Sequence, residues 1–261
     1  MNAPSEPSGG DRGSSETAPS IPPREARQRW RLTFHRDPVS ADLVGRVAIE
    51  GWQATLERSG LPLAQLDAGG RPRVAFAAPL QATAEGEAEL AEVFLCERLP
   101  AWRVREALEA DLPPGHALLG AEDVWLGAPP LPGRVVAADW RVGLEPGGVD
   151  APALAGAAAR VIAAPTLPRT RSKGGVDKPY DLRPLIDDIK VAAGRADEPC
   201  LIRIRTRFRP ELGSGRPEEV VAAVGAEAGA ELTIRTIVRE RLILAEDRMV
   251  VRGRLTEWVS S

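Results

Sequence analysis

The order of predicted strands and helices repeats once along the chain, and this repeat constrains the fold more than any other feature of the sequence. Residues 29–126 are predicted to form a strand, a helix, two strands, a helix and a strand, and residues 136–244 repeat that order. This β-α-β-β-α-β succession is the ferredoxin-like motif, and a repeated element order indicates a duplicated unit. We therefore predict an α+β fold of two tandem ferredoxin-like sandwiches, over residues 28–131 and 134–258.

Hydrophobic spacing supports the individual elements. Alternating apolar residues at 30–34 predict the first strand, and a helix is predicted from an N-cap at Ser40 to a stop at Gly60. In the second unit a long extended segment is expected over 166–191, and a Pro- and Gly-rich hinge at 128–133 separates the two units. Four of the tryptophans are expected in the core: Trp30, Trp52, Trp125 and Trp140.

Residues 1–27 are rich in Pro, Ser, Gly and Glu and contain almost no apolar side chains. This composition cannot bury enough apolar surface to offset the entropy of ordering, so we predict a disordered tail. The chain has no apolar run of the roughly 18 residues that suggest a membrane span, and its N-terminus lacks the charged-then-apolar pattern of a signal peptide. We expect a cytoplasmic protein that does not bind membranes.

The strand predicted over 201–209 has arginine at every second position. Its period of two places one set of side chains in the core and a row of guanidinium groups on the opposite face, namely Arg203, Arg205, Arg207 and Arg209. Side chains on one face of a strand lie about 7 Å apart, so adjacent guanidinium groups repel by roughly 0.6 kcal/mol in water. Either carboxylates on neighbouring strands neutralise this row, or the row faces a phosphate backbone or another acidic partner.

Other cations are expected near this row. The formal net charge is −3, but residues 1–133 hold 13 basic and 19 acidic residues whereas 134–261 hold 21 and 18. The last predicted strand places Arg235, Arg239 and Arg241 outward, and Arg141 extends the set. A loop around Gly174 and Gly175 adds five more cations, Arg169, Arg171, Lys173, Lys178 and Arg183. The loop is either a solvated hairpin or an arm that contacts phosphates.

The residue types on the open sheet face favour one mode of nucleic-acid binding. Readers of single-stranded RNA stack bases on exposed aromatic side chains. Here the expected open face carries Arg, Thr and Ala instead. If RNA binds, we expect contacts to its backbone and a steep dependence on salt.

Several chemistries lack the residues they need. A radical SAM enzyme requires three cysteine thiolates on one cluster, and this chain has only Cys96 and Cys200. The two histidines, His35 and His116, have no spaced partners, so we predict no metal site, no cofactor and no catalytic constellation. An acidic run at 85–89 is expected to be a solvated edge.

Four segments together resemble the bacterial radical SAM-linked protein family. They are Asp181-Leu182-Arg183-Pro184-Leu185 after a basic stretch, Gly215-Arg216-Pro217-Glu218-Glu219-Val220, Glu57-Arg58-Ser59-Gly60-Leu61-Pro62, and the segment 71–80. The sequence departs from that family at Ser40-Ala41-Asp42-Leu43, which lacks a histidine, and at 67–70. The resemblance implies a radical SAM protein as partner, and the gene neighbourhood of the family suggests RNA metabolism.

These observations lead to one functional hypothesis and two alternatives. The leading hypothesis is a non-enzymatic accessory or adaptor protein, linked to a radical SAM enzyme, whose basic C-terminal face binds RNA or an acidic partner. The first alternative is an enzyme that acts on RNA or on a small phosphorylated substrate, with Asp181 and Arg183 at its site. The second is a structural scaffold whose arginine row is neutralised internally.

Overall fold

The structure, a computed structural model, describes residues 25–64, 70–145, 149–173, 176–192 and 200–245. Residues 1–24 of the predicted tail and the final part of the second predicted unit, from residue 246, lie outside the described residues.

The first half of the described chain contains four strands and two α-helices. They follow in the order β1 (Gln28–Arg36), a 3-10 helix (Ala41–Leu43), α1 (Arg46–Arg58), β2 (Ala75–Phe76), β3 (Glu85–Leu95), α2 (Ala101–Glu109) and β4 (His116–Val124).

The second half adds seven strands and two α-helices within the described residues. They follow in the order of a 3-10 helix (Leu131–Arg134), β5 (Val135–Leu144), α3 (Ala151–Ala163), β6 (Pro168–Lys173), β7 (Val176–Asp181), a 3-10 helix (Arg183–Leu185), β8 (Ile186–Ala192), β9 (Leu201–Arg209), β10 (Gly213–Ser214), α4 (Pro217–Ala228) and β11 (Ile234–Leu244).

Nine of these strands form one continuous mixed sheet. Its order is β10-β9-β5-β11-β3-β1-β4, with β2 beside β3 and β8 beside β9, while β6 and β7 form a separate hairpin. The halves join where β11 runs parallel to β3, with Val238 opposite Glu85 and Arg239 opposite Gly86. The α+β class is confirmed, but the main strands share one sheet instead of forming two.

Within each half the main strands pair antiparallel in the same relative order. In the first half this order is β4-β1-β3-β2. In the second half the corresponding order is β11-β5-β9-β8.

Two hydrophobic clusters pack between the sheet and its helices. In the first half, α1 and α2 contribute buried residues such as Trp52, Leu56 and Leu108. In the second half α3 and α4 contribute buried residues such as Leu154 and Val220, and these two helices also contact each other. Because burial of each such side chain contributes about 1.5–3 kcal/mol, the helix-covered side of the sheet provides most of the stabilisation.

Three predicted elements differ in the structure. Helix α1 begins at Arg46 because Gly45 has a φ of 64°, and Ser40 makes no capping hydrogen bond with its side chain. The extended segment predicted over 166–191 instead contains the β6-β7 hairpin and most of β8. The second of the strands predicted within 29–126 is reduced to the two residues of β2.

Three of the four tryptophans expected in the core are buried, namely Trp30, Trp52 and Trp140. The fourth expectation is wrong, since Trp125 is 76% exposed. It follows the last residue of β4 and therefore belongs to the connection between the two halves.

That connection lies against the sheet. Arg29 of β1 donates hydrogen bonds to the carbonyls of Ala128 (2.5 Å) and Pro129 (2.9 Å). The same guanidinium group binds Glu92, which is fully buried. The segment predicted to be a hinge is therefore held by a buried arginine.

No α-helix in the described part of the chain is both long enough and apolar enough to cross a membrane.

Candidate functional site

The predicted arginine row lies on the sheet face opposite the helices, where it forms part of an ion-pair network. Arg205 donates two hydrogen bonds to Asp139, Nε to Oδ1 at 2.6 Å and Nη2 to Oδ2 at 3.0 Å. Arg241 donates to the same carboxylate from Nε at 2.8 Å. Burial raises the pKa of the Asp139 carboxyl, but these two guanidinium groups outweigh burial and hold the pKa below its ordinary value.

The other arginines of this face also meet carboxylates. Arg207 donates to Asp187 on β8, and Arg203 lies 3.9 Å from Glu240 on β11. Glu240 also accepts from Arg141 at 3.0 Å. We call the whole set the open-face network, which consists of Arg141, Arg203, Arg205, Arg207, Arg241, Glu87, Asp139, Asp187 and Glu240.

The open-face network contains five guanidinium groups and four carboxylates, so its charges nearly cancel. Because most of its arginines already bind carboxylates of the same chain, they have little capacity left for phosphates. The geometry therefore favours a structural role for most of the predicted basic face.

The expected outward position of Arg239 is wrong. This residue is 1% exposed and binds Glu89 through both Nε and Nη2. It also donates to the carbonyls of Ala78 and Pro79, and its guanidinium carbon lies 5.4 Å from the centre of the Trp140 ring. The register of β11 shifts between Arg239 and Arg241, which turns Arg239 to the helix-covered face. Glu89 is also buried, on the face of β3 that Ala91 and Val93 share, so the acidic run is not a solvated edge throughout.

The predicted basic loop is the β6-β7 hairpin, and its arginines are partly engaged. Arg171 donates to Glu219 at 3.0 Å, and its guanidinium carbon lies 4.6 Å from the centre of the Tyr180 ring. Arg169 donates to the carbonyl of Pro168. Lys173 is the last residue of β6, and its side chain lies outside the described part of the structure.

Asp181 and Arg183 have structural contacts. The Asp181 carboxylate accepts from the backbone N–H groups of Leu167 (2.7 Å) and Arg183 (3.0 Å). The Arg183 guanidinium donates to the carbonyls of Ile162 (2.8 Å), near the end of α3, and Ile186 (3.0 Å). Both side chains therefore fix the chain between α3 and β8.

Three of the predicted anion-binding cations keep exposed side chains and form no ion pair within the described residues. They are Lys178, Arg209 and Arg235. They lie on three different strands, β7, β9 and β11.

A second candidate site was not predicted from the sequence. A cavity of about 360 Å³ lies between α1 and the sheet, and we call it the α1 cavity. Its walls are mainly apolar and come from β1, α1, the segment around β2, β3 and β4. The lining residues are Phe34, Arg36, Val44, Gly45, Ala48, Ile49, Trp52, Val74, Phe76, Ala77, Ala78, Pro79, Leu80, Glu89, His116 and Pro132.

Two residues of this lining each have a buried donor atom that is unpaired within the described residues. Arg36 is 7% exposed and binds the carbonyls of Leu80, Gln81 and Ala84 through its Nη atoms, but its Nε is unpaired within the described structure. Trp52 is 1% exposed, and its Nε1 is also unpaired there. Buried donors of this kind normally find partners, so each requires an explanation.

The aromatic part of the cavity surrounds His116. Its ring lies 5.7 Å from the rings of both Phe34 and Trp52, stacked on the first and edge-on to the second. Nδ1 lies 3.1 Å from the carbonyl of Pro114. Burial lowers the pKa of the His116 imidazole, which favours its neutral form.

The polar end of the cavity carries one guanidinium group and one carboxylate, Arg36 and Glu89. Arg36 and Arg239 are both near Glu89, which binds Arg239. Burial lowers the pKa of the Arg36 guanidinium, Glu89 raises it, and the positive charge of Arg239 lowers it further.

Sequence reasoning missed this site because it depends on how α1 packs against the sheet. The period of two that places Phe34 inward also places Arg36 inward, but it does not show that a space is left there. The one available signal was the adjacency of Phe34 and Arg36 on a strand with an otherwise apolar inner face. Among the described residues, no group of three or more His, Cys, Asp or Glu side chains is arranged to hold a metal ion.

Comparisons with known proteins place the chain in a family. No curated protein matches it. A solved chain from the crystal structure of a Cbf5-Nop10-Gar1 complex is similar with a TM-score of 0.48 and 9% identity, over 82% of this chain and 48% of that one. This chain thus spans about half the length of that protein, and the likeness is too low to support an inference. The family model described as uncharacterized protein conserved in bacteria matches residues 51–217, so the chain belongs to this bacterial family, DUF2344.

Proposed function

We propose that this protein is a non-enzymatic accessory protein that binds a small, mostly apolar ligand in the α1 cavity. The observation that supports this most strongly is the mainly apolar cavity between α1 and the sheet. Protein interiors contain few voids larger than a water molecule, whereas ligand sites typically measure about 300–1,000 Å³. A cavity of about 360 Å³ falls in the range of ligand sites.

The start of α1, which lines one side of the cavity, has features that would allow a ligand to enter. The first turn of α1 exposes Val47 and Ile49, and the preceding 3-10 helix exposes Leu43. The N-cap residue of α1, Gly45, forms no side-chain cap. Because a helix start without a cap is less stable, this turn can move more easily than the rest of α1.

A non-enzymatic role is supported by the state of the charged groups. Asp181 and Arg183 are committed to backbone contacts, and Glu89 is bound by Arg239. Catalysis needs a base that can reach a reacting group. Neither carboxylate has that freedom.

Ligand binding is tested with a library of small aromatic and aliphatic compounds, observed by saturation-transfer NMR. The Ala48→Trp variant places a bulky side chain in the cavity wall and should abolish binding. The Glu57→Trp variant is the control, because Glu57 is exposed on the same helix and does not line the cavity. Equal binding by wild type and Ala48→Trp would rule out the cavity as the site.

A second candidate function is the adaptor role, in which a cytoplasmic protein links a radical SAM enzyme to RNA or an acidic partner. The observation in its favour is that Lys178, Arg209 and Arg235 are exposed and lack ion pairs within the described residues. The resemblance to radical SAM-linked proteins supports the enzyme partner.

The adaptor role is tested by titrating binding of a single-stranded RNA at several salt concentrations. Changing Lys178, Arg209 and Arg235 together to Glu should weaken RNA binding strongly, because three phosphate contacts are lost. Each lost contact should also make the dependence of the RNA affinity on salt less steep. Exchange of the paired Glu87 for Gln serves as a control on the same sheet. Unchanged RNA affinity in the triple variant would exclude these three cations as the interface.

We also interpret the fold as two ferredoxin-like units fused edge to edge. The support is the shared antiparallel strand order of the two halves and the parallel contact between β11 and β3. In this interpretation the α1 cavity belongs to the first unit and lies beside the junction.

A further inference from the structure

Two tryptophans with mostly exposed rings lie at the same end of the sheet. Trp102, in the first turn of α2, is 63% exposed, and Trp125, directly after β4, is 76% exposed. The Trp125 ring lies against Gly127, where a Cβ would come within 2.7 Å of it. Exposed apolar side chains concentrated in one place mark an interaction site, and tryptophan is among the residues that contribute most to binding. We call Trp102, Trp125 and the neighbouring exposed Leu126 the tryptophan patch.

The contacts of Gln28 show that the two tryptophans belong to one region. Its side-chain amide donates to the carbonyl of Leu99 (3.1 Å) and to the carboxylate of Asp123 (2.8 Å), and it accepts from the N–H of Leu99 (2.9 Å). Trp102 follows Leu99 by three residues, and Trp125 follows Asp123 by two. Because a chain advances at most about 3.6 Å per residue, each tryptophan lies within about 11 Å of a residue that Gln28 binds.

The described chain also begins at this end of the sheet. Its first residue, Glu25, lies three residues before Gln28, and the N–H of Arg27 donates to the carbonyl of Leu95 at the end of β3 (2.8 Å). Residues 19–24, which lie outside the described residues, are therefore attached beside the tryptophan patch. The most distant of them is six residues from Glu25 and so lies within about 22 Å of it.

The sequence of this attached segment is suited to an aromatic surface. It reads Pro19-Ser20-Ile21-Pro22-Pro23-Arg24, with two prolines three residues apart and an arginine at its end. Peptides with a Pro-x-x-Pro pattern bind aromatic-lined surfaces, because their extended backbone loses little entropy on binding. The patch offers a charge of opposite sign to the arginine, since Asp123 is exposed and forms no ion pair within the described residues.

We propose that the tryptophan patch binds residues 19–24 of the same chain, with the prolines against Trp102 and Trp125 and Arg24 at Asp123. This inference goes beyond the proposed function, because the patch does not line the α1 cavity. Covalent attachment gives the segment an effective concentration on the order of millimolar at the patch, so weak contacts are sufficient.

Fluorine NMR of the full chain tests this proposal. All six tryptophans are labelled as 5-fluorotryptophan, and the signals of Trp102 and Trp125 are assigned from Trp→Phe variants. A neutral gadolinium complex in solution relaxes each fluorine according to its accessibility. Changing the three prolines of the segment together to Ser should raise the relaxation of both signals about twofold, because a bound segment covers roughly one face of each ring. The Arg24→Glu variant should raise it as well, since it places a like charge opposite Asp123.

The chain offers a matched control for the proline variant. Pro4 and Pro7 form another Pro-x-x-Pro pattern, but Ser8 follows it instead of a cation. Changing both to Ser should leave the relaxation of the Trp102 and Trp125 signals as in the wild type. The signal of Trp52, which is 1% exposed, serves as an internal reference in every spectrum.

Three outcomes would overturn the proposal. The first is equal relaxation of the two signals in the wild type and in the variant of the segment. The second is an equal rise in the control variant, which would show that this segment is not the occupant. The third is a dependence of the wild-type signals on protein concentration, which would identify a second copy as the occupant.

Discussion

At the scale of single residues, Asp139 offsets the electrostatic repulsion within the row of arginines. Neighbouring guanidinium groups on one strand repel by roughly 0.6 kcal/mol in water. Asp139 accepts from both Arg205 and Arg241, which lie on strands at either side of β5. One carboxylate therefore ties three strands together through their side chains.

We expect Asp139→Asn to lower the free energy of unfolding by about 2 kcal/mol, since it removes the negative charge and one of the two acceptor oxygens that Arg205 and Arg241 share. Urea denaturation monitored by circular dichroism measures this loss. Asp188→Asn is the control, because Asp188 is exposed and its contact with Lys190 contributes little. A loss of unfolding free energy in Asp139→Asn as small as that in Asp188→Asn would contradict the central role of the Asp139 carboxylate.

The effect of Asp139 depends on pH. Its folded-state pKa is below the ordinary value, so its contribution is complete above the unfolded-state pKa and is lost as the pH falls through the folded-state pKa. The difference in stability between wild type and Asp139→Asn should therefore shrink towards acidic pH. A difference that grew on acidification would have the wrong sign.

The single tyrosine offers a direct titration. Burial and the hydrogen bond to Glu219 raise the pKa of Tyr180 to about 12, against the opposing effect of Arg171. Ultraviolet absorption of tyrosinate should therefore show a midpoint near pH 12 while circular dichroism reports a folded chain. In Glu219→Gln the midpoint should move down. A wild-type midpoint at the ordinary value of 10.0 in folded protein would contradict the described contact.

At the scale of elements, one of the segments that carry the family resemblance packs against the start of α4. Leu182 and Leu185 are fully buried, and the carbonyl of Leu185 faces Gly215. A Cβ at Gly215 would lie 2.7 Å from that oxygen. Two separate motifs of the sequence therefore meet in one tight contact, where only glycine fits without displacement.

We expect Gly215→Ala to destabilise the protein by about 1–3 kcal/mol, because the methyl group meets a backbone atom that cannot rotate away. Thermal denaturation measures the shift. Gly133→Ala is a matched control, since a Cβ there meets nothing within 4 Å. Equal stability of the two variants would show that the contact relaxes easily.

The sequence predicted regular elements well and irregular ones poorly. The periods of β9, α2 and α3 were evident because their apolar residues recur without interruption. Arg239 was misplaced because a bulge in β11 reverses the alternation locally. Glu89 was misplaced because it was grouped with Glu85 and Glu87, from which a shift of register separates it. The α1 cavity could not be predicted, since it arises from the space left between elements.

At the scale of the whole molecule, the halves share one sheet through a short parallel contact. The contact includes two residue pairs, and the buried pair of Glu89 and Arg239 lies beside it. The half-buried pair of Glu87 and Arg141 supports it on the other face. We therefore expect one cooperative unfolding transition for both halves.

We expect Glu89→Gln to lower the overall free energy of unfolding by about 3 kcal/mol, because it leaves a buried guanidinium without its charged partner. Urea unfolding, followed by tryptophan fluorescence and by circular dichroism, gives the loss and shows whether the transitions still coincide. Glu57→Gln on the exposed side of α1 is the control. A stability of Glu89→Gln close to that of the control would show that this ion pair does not hold the junction.

The hydrogen bonds from Arg29 to the carbonyls of Ala128 and Pro129 limit how a ligand can enter the protein. With the connection clamped and the sheet continuous, hinge-like separation of the halves is not a route to the interior. A ligand therefore has to enter the α1 cavity by local opening of the first turn of α1, residues 46–49. Backbone amides of residues 46–49 should exchange with deuterium faster than those of residues 52–56, and a ligand bound in the α1 cavity should slow that exchange. Equal exchange with and without ligand would show that the ligand enters elsewhere.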